Sequence, residues 1–130
     1  MAVADPGGLL QPEDLAGFGP VIPVIVIDQV DKAVPMARAL VDGGIRVLEV
    51  TLRTAAALSA IEAIARDVPE AIVGAGTLRS AADARSAQAA GARFGVSPGY
   101  SARVAEVCRE LFAGMRKNVL SAEEGACTWL

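Results

Sequence analysis

The sequence contains no histidine, only two cysteines and few aromatic residues. Without histidine, Ser-His-Asp and Cys-His mechanisms are excluded, and so is the usual proton-transfer group near neutral pH. Cys108 and Cys127 have no CxxC spacing, which predicts reduced thiols and not a zinc site. Any chemistry must therefore use carboxylates, lysine, tyrosine or bound water.

Long hydrophobic runs and blocks of one charge are also missing. The longest apolar run, at 21–27, is too short to cross a bilayer and contains a proline. The net charge is −3, with acids and bases mixed along the chain, so there is no basic stripe for nucleic acid. The N-terminus is acidic and lacks the basic start of a signal peptide. We therefore expect a cytoplasmic protein that binds neither nucleic acid nor membrane.

Apolar runs alternate with amphipathic stretches along the 130 residues. Buried strands are predicted at 21–27, 45–50, 71–76 and 92–97, and a helix is predicted after each strand. Such a βα order requires parallel strands joined by right-handed crossovers. The stretches "GGIRVLEVT" and "AGARFGVSP" also resemble each other, two units apart. This repetition favours an α/β fold of the (β/α)8-barrel type over a doubly wound sheet.

Residue types at the helix ends predict where the helices begin and stop. Asp28 is expected to cap the first helix, and Gly43 with Gly44 to end it. Ser80 opens the third helix with an acid three residues later, which is the pattern of a capping box, and Ser101 opens the fourth. In the second helix the spacing predicts one inward face: Leu58, Ile61, Ile64 and Ala65.

Each of the four predicted strands is followed by a polar residue or by proline and glycine. Glu49 lies near the end of the second strand and Arg53 just past it, Thr77 follows the third, and Ser97–Gly99 ends the fourth. Ligands of parallel α/β folds bind at the carboxyl ends of the strands. A carboxylate among valines has a raised pKa, which suits proton transfer, and an arginine can bind a substrate carboxylate in a bidentate manner.

Each of these residues also has a purely structural interpretation. Glu49 could pair with Arg53 or Arg46, and Arg53 could be a solvated arginine of the loop. Thr77 could cap the next turn, and Pro98 could simply end a strand. The glycines of "GAGT" could cradle a phosphate, although turn chemistry explains them more simply. Taken one at a time, none of the residues establishes a site.

Four stretches together resemble a known family, the 2-keto-3-deoxy-6-phosphogluconate (KDPG) aldolases, which overlaps the 4-hydroxy-2-oxoglutarate (KHG) aldolases. The resemblance lies in "GPVIPVIVI", "AVPMARALVDGGIRVLEVTLRT", "AIEAIARDVPEAIVGAGT" and "AGARFGVSPG". It implies three parts: an N-terminal extension with a helix at 1–18, half of a (β/α)8 barrel at 19–111, and a divergent tail at 112–130.

The resemblance implies a lyase, a class I aldolase on a TIM barrel that releases pyruvate through a lysine Schiff base. Glu49 would then be the catalytic acid and base. Arg53 and Thr77 would bind the carboxylate of the substrate, and Pro98 would line the same pocket. The family also implies a small keto-acid substrate, no metal, no cofactor and a homo-oligomer, which is a trimer in the full-length family.

The sequence departs from the family pattern after Leu111. The segment similar to "KFFPAE", which carries the Schiff-base lysine in the family, has no counterpart, and Lys117 in "RKN" reads as a solvated turn. We therefore expect a truncated chain with weak or no aldolase activity. The alternative is a non-catalytic half-barrel that self-associates or binds a small keto acid.

Overall fold

The computed structural model describes residues 12–112, and the structural statements below concern that range. The expectations for Lys117, for Cys127 and for most of the terminal segments therefore lie outside the described residues. A 3-10 turn at Val30–Lys32 leads into the second helix. The elements in chain order are α1 (Pro12–Gly17), β1 (Val24–Ile25), α2 (Ala33–Asp42), β2 (Val47–Thr51), α3 (Ala57–Asp67), β3 (Ile72–Gly76), α4 (Ala81–Ala89) and α5 (Ala102–Leu111).

The three strands form a parallel sheet in the order β1-β2-β3. Residues 93–96 run alongside β3 in the same direction. The Arg93 N–H donates to the Val73 carbonyl at 2.8 Å, and the Val96 N–H donates to the Ala75 carbonyl, also at 2.8 Å. The predicted α/β class, with four parallel neighbours in chain order, is confirmed.

Both outer segments of the sheet are shorter than predicted. The first strand was expected at 21–27, but only Val24 and Ile25 pair, because Pro23 has no N–H to donate and β1 has a described neighbour on one side only. The fourth segment was expected as a strand at 92–97. Its hydrogen bonds to β3 bring only one residue pair, Ala75 and Gly95, into strand pairing. It too has a described neighbour on one side only.

Helices α2 to α5 cover one face of the sheet. Leu48 and Val50 of β2 point toward the helices and are fully buried. The predicted inward position of Leu58 is wrong: its exposed fraction is 37%. The buried stripe of α3 contains Ala57, Ala60, Ile61 and Ile64. Leu58 is one residue, or about 100°, away from Ala57 and lies at the border of that stripe.

The opposite face, which we call the inner face, has its own small core at the amino ends of the strands. Leu15 and Phe18 at the N-terminal helix pack there against Val47, Ile72 and Phe94. The Arg46 guanidinium lies over the Phe18 ring, 5.0 Å from its centroid. The inner face is therefore closed at this end by α1, and the polar residues that follow the strands lie at the other end.

The helix ends follow the sequence prediction at three places and depart from it at one. Ser80 and Asp83 form the predicted capping box, the Ser101 side chain accepts a hydrogen bond from the Val104 N–H, and α2 ends at Gly43. Asp28 does not cap the first helix. Gln29 holds the position before the 3-10 turn, with no side-chain cap, because that turn intervenes between β1 and α2.

Candidate active site at the carboxyl ends of the strands

Glu49 lies on the inner face of the sheet, in the middle of β2. Its register neighbours are Val24 on β1 and Gly74 on β3. Only 8% of Glu49 is exposed, although the strand presents Leu48 and Val50 to the other face. The alternation of side chains along a strand therefore places the carboxylate on the inner face of the sheet, opposite to Leu48 and Val50.

Two glycines of β3 make room for large side chains on this face. A Cβ atom on Gly74 would lie 2.5 Å from the Cδ2 and Cε1 atoms of Phe94. A Cβ atom on Gly76 would overlap Oε1 of Glu49 and lie 2.9 Å from its Cδ and Cγ atoms. Neither glycine has a positive φ. The glycines of "GAGT" thus allow close approach of neighbours, which neither turn chemistry nor a phosphate cradle had suggested.

The environment of Glu49 favours its neutral form. Burial raises the pKa of the Glu49 carboxyl above the ordinary value of 4.5, and the positive charge of Arg53 opposes the rise. A raised pKa brings a carboxyl closer to the range in which it can both donate and accept a proton at physiological pH. Arg53 keeps the charged form accessible, so the pair suits a group that changes protonation state during a reaction.

Arg53 and Thr77 are joined directly. The Nε atom of Arg53 donates a hydrogen bond of 3.3 Å to Oγ1 of Thr77, across 24 residues of sequence. Arg53 itself is exposed, and its hydrogen bond to Thr77 uses only one of the three guanidinium nitrogens. A guanidinium and a hydroxyl that lie together at the carboxyl ends of two strands can both donate hydrogen bonds to a carboxylate.

Thr77 has an unusual backbone conformation. Its φ is +62°, the one positive value for a non-glycine residue within residues 12–112. The left-handed region is unfavourable for a β-branched side chain, and strained residues of this kind cluster at functional sites. The next residue is fixed in place, because the Leu78 N–H donates to the Val96 carbonyl and the Leu78 side chain is fully buried.

Two further threonines, for which no role was predicted from the sequence, connect the end of β2 and the loop after it to β1 and the residues after β1. The Thr51 hydroxyl donates to the Ile25 carbonyl at 3.1 Å, and the Thr54 hydroxyl donates to the Ile27 carbonyl at 2.5 Å. They fix the loop that carries Arg53 on both sides. Their signal in the sequence is the spacing of two threonines that flank Arg53 just past a buried strand.

Pro98 lies at the carboxyl ends of the strands as well, directly after the fourth parallel segment. It is exposed. Ser97, which precedes it, is buried and donates a hydrogen bond of 2.6 Å to the Gly99 carbonyl, so the turn is held locally. The structure therefore brings Glu49, Arg53 and Thr77 into one group. Pro98 lies beside that group, without a hydrogen bond to any of its three members.

Other kinds of chemistry find little support within residues 12–112. No three acidic, cysteine or histidine side chains in that range are grouped closely enough to hold a metal ion. Cys108 is buried, and burial raises the pKa of its thiol, which lowers its reactivity. None of the helices described between α1 and α5 is long and apolar enough to cross a bilayer. The one lysine of the range, Lys32, is exposed.

Comparison with known sequences places these features in a family. The family model for KDPG and KHG aldolases matches residues 13–124, a wider range than the motifs alone had indicated. A 2-dehydro-3-deoxy-phosphogluconate aldolase of Pseudoalteromonas atlantica is 57% identical over 89 residues. That alignment covers 68% of this chain and 41% of the relative, so the chain spans less than half the length of the relatives it matches.

Comparison with solved structures agrees. The 2-keto-3-deoxy-6-phosphogluconate aldolase of Zymomonas mobilis superposes with a TM-score of 0.75 and 44% identity, covering 82% of this chain and 51% of that one. The KDPG aldolase of Legionella pneumophila, solved with pyruvate captured as a covalent carbinolamine intermediate, gives a TM-score of 0.72 and 44% identity. Its alignment covers 75% of this chain and 48% of the Legionella enzyme.

Proposed function

Because the chain belongs to the KDPG and KHG aldolase family, we propose that it supplies the proton-transfer and carboxylate-binding residues of a class I aldolase site. The reaction would release pyruvate from 2-keto-3-deoxy-6-phosphogluconate, with glyceraldehyde 3-phosphate as the other product, or from 4-hydroxy-2-oxoglutarate, with glyoxylate. The single observation that carries the proposal is that the buried Glu49 side chain lies against Gly76, directly before Thr77 of the hydrogen-bonded pair of Arg53 and Thr77.

Glu49 is the proposed acid and base. Carbon–carbon cleavage in this class requires a proton to leave the hydroxyl of the substrate and another to be added to the pyruvate carbon. A carboxyl whose pKa is raised by burial can perform both transfers, directly or through a water molecule. Its place on the inner face keeps it near a substrate held at the strand ends and away from the helices.

Arg53 and Thr77 are the proposed binders of the pyruvate carboxylate. Their mutual hydrogen bond uses Nε of Arg53 and leaves the two terminal nitrogens of the guanidinium for a ligand. Pro98 would line the rim beside them. In the Legionella enzyme pyruvate was captured as a covalent carbinolamine, so an amine is also needed. Lys32 is exposed and lies in a turn, whereas a nucleophilic lysine needs a desolvated pocket.

A binding experiment on the 130-residue chain tests the proposal. Carbon-13-labelled pyruvate should show line broadening with the wild type and lose it with Arg53→Ala and with Thr77→Ala. Arg66→Ala is the matched control, since Arg66 is an exposed arginine paired with Asp67 on α3, and it should retain the broadening. Equal broadening in all variants would show that pyruvate does not bind at this edge, and the proposed site would be wrong.

A second candidate function is self-association of the half-barrel. It is favoured by the exposure of Val24 and Val26, at 61% and 51%, beside an edge strand that has a described neighbour on one side only. Val24 shares the inner face with Glu49. A homo-oligomer, like the cytoplasmic location expected from the sequence, stays a prediction.

A further inference from the structure

The Glu49 side chain contacts Gly76, although Gly76 is not its register neighbour on β3. Glu49 is in register with Gly74, whereas Gly76 lies one inner-face position further toward the carboxyl end of β3. The atoms nearest to a Cβ built on Gly76 are three atoms of one residue, namely Oε1, Cδ and Cγ of Glu49. The end of the Glu49 side chain therefore lies against the backbone of Gly76.

The neighbouring inner-face position explains this direction. The space over Gly74 is filled by the Phe94 ring, which reaches across from the fourth parallel segment. Glu49 cannot lie over its own register neighbour for that reason, and its side chain extends along the strands toward Gly76. Thr77 directly follows Gly76, so this direction brings the carboxylate toward the hydrogen-bonded pair of Arg53 and Thr77.

Backbone conformation does not account for Gly76. The described glycines with positive φ are Gly19, Gly44 and Gly91. An alanine could adopt the backbone of Gly76, and such a replacement ordinarily stabilises a protein by restricting its unfolded chain. Solvent exposure does not account for the glycine either, because every residue of β3 is buried. What distinguishes the position is the volume that Glu49 occupies.

We propose that Gly76 is a positioning residue for the Glu49 carboxylate: its missing side chain leaves the space on β3 in which that carboxylate lies. The proposal deepens the function proposed above and rests on it for the role of Glu49. An alanine at position 76 would displace the carboxylate from β3 and from the donors that follow it. Gly76 would then act through Glu49, and would touch no substrate itself.

A double-mutant cycle on the 130-residue chain tests the contact without any assay of turnover. Gly76→Ala should lower the midpoint of urea unfolding in the wild type. In the Glu49→Ala background, where the contacting atoms are gone, the same change should be neutral or stabilising. We expect the two effects to differ by about fivefold or more in the equilibrium constant for unfolding, as for other residues in direct contact.

Gly74→Ala is the matched control. It adds the same methyl group to the same face of the same strand, but the group meets Phe94. It should destabilise the chain equally with and without Glu49. If Gly76→Ala alone fails to fold, the double variant with Glu49→Ala decides: recovery of folding supports the proposal, and continued failure overturns it.

A second measurement separates positioning from a merely structural role. Carbon-13 NMR titration of the Glu49 carboxyl should show a changed pKa in Gly76→Ala, because displacement alters both the burial that raises the pKa and the approach to Arg53 that lowers it. An unchanged pKa together with an additive cycle would overturn the proposal. Neither measurement depends on pyruvate, so a failed aldolase assignment and a failed positioning role give different results.

Discussion

The Nε atom of Arg53 donates a hydrogen bond to Oγ1 of Thr77, and the backbone of Thr77 is held at a φ of +62°. An L-residue in this region carries a conformational cost of roughly 1–2 kcal/mol, which a threonine cannot relieve. Thr77 is thus strained at a position where a glycine would not be. Unlike glycine, threonine supplies the hydroxyl group that accepts the hydrogen bond from Arg53.

The first prediction concerns that strain. Thr77→Gly should be more stable to urea than Thr77→Ala, by about 1 kcal/mol, because glycine adopts a positive φ freely and alanine does not. Thr54 is the control, since its φ is not positive and its hydroxyl also takes part in a hydrogen bond, which it donates to the Ile27 carbonyl. There the order should reverse, with the glycine variant the less stable. The same order at both positions would contradict the assignment of strain to Thr77.

The second prediction concerns the charge that acts on Glu49. Arg53→Ala should raise the pKa of the Glu49 carboxyl further, because the positive charge that opposes the effect of burial is removed. Arg53→Lys should leave it nearer the wild-type value. Carbon-13 NMR titration of Glu49 measures both. Arg46→Ala is the control, since Arg46 bonds the Glu70 carbonyl at the opposite end of β2, and it should not move the pKa.

The third prediction concerns the pH dependence of stability. The folded-state pKa of Glu49 lies above 4.5, so the folded chain binds more protons than the unfolded chain between these two values. The free energy of unfolding should therefore fall as the pH rises through that window and level off above the folded-state pKa. Glu49→Gln, which cannot ionise, should lack this fall.

Urea unfolding of both proteins from pH 4 upward measures the difference. Glu49→Gln should gain on the wild type as the pH rises, with no further gain above the window. Glu62→Gln, at an exposed position on α3, serves as the control and should track the wild type. A constant offset between Glu49→Gln and the wild type would show that Glu49 ionises as freely in the folded chain as in the unfolded one.

The fourth prediction is that a polypeptide of these 130 residues has little or no aldolase turnover. The imine with a lysine provides the electron sink for carbon–carbon cleavage in this class, and Glu49 and Arg53 cannot replace it. A coupled assay for pyruvate release measures turnover, and borohydride trapping with pyruvate detects an imine by mass. Turnover that is lost on Lys117→Ala but not on Lys32→Ala would contradict this prediction and identify Lys117 as the amine.

The fifth prediction concerns association. Val24→Gln and Val26→Gln should lower the apparent mass of the chain in sedimentation velocity, because both valines are exposed apolar side chains beside the side of β1 that has no neighbour among residues 12–112. Leu58→Gln, at a partly exposed position on α3, should have no effect. A wild type that sediments as a monomer would rule out the self-associating alternative.

Local chemistry in the sequence was enough to predict the order of the elements and most of their ends. The capping box of Ser80 and Asp83 and the stop at Gly43 depend on neighbours within a few residues, so they are readable without tertiary contacts. Strand-end positions likewise follow from periodicity, which is why Glu49, Arg53 and Thr77 could be grouped before their contacts were known. The resemblance to an aldolase family is also a property of sequence, and the comparisons confirm it.

Tertiary contacts decided what periodicity could not. The register of β1 on β2, which pairs Val24 with Glu49 and Ile25 with Val50, was set only when the two strands came together. Asp28 lost its predicted capping role to an intervening 3-10 turn. The use of Gly76 as space for Glu49 depends on atoms of another strand, and the positive φ of Thr77 occurs at a residue type that disfavours it. Sequence patterns encode which face a residue takes, whereas the volume left on that face is set only when the strands come together.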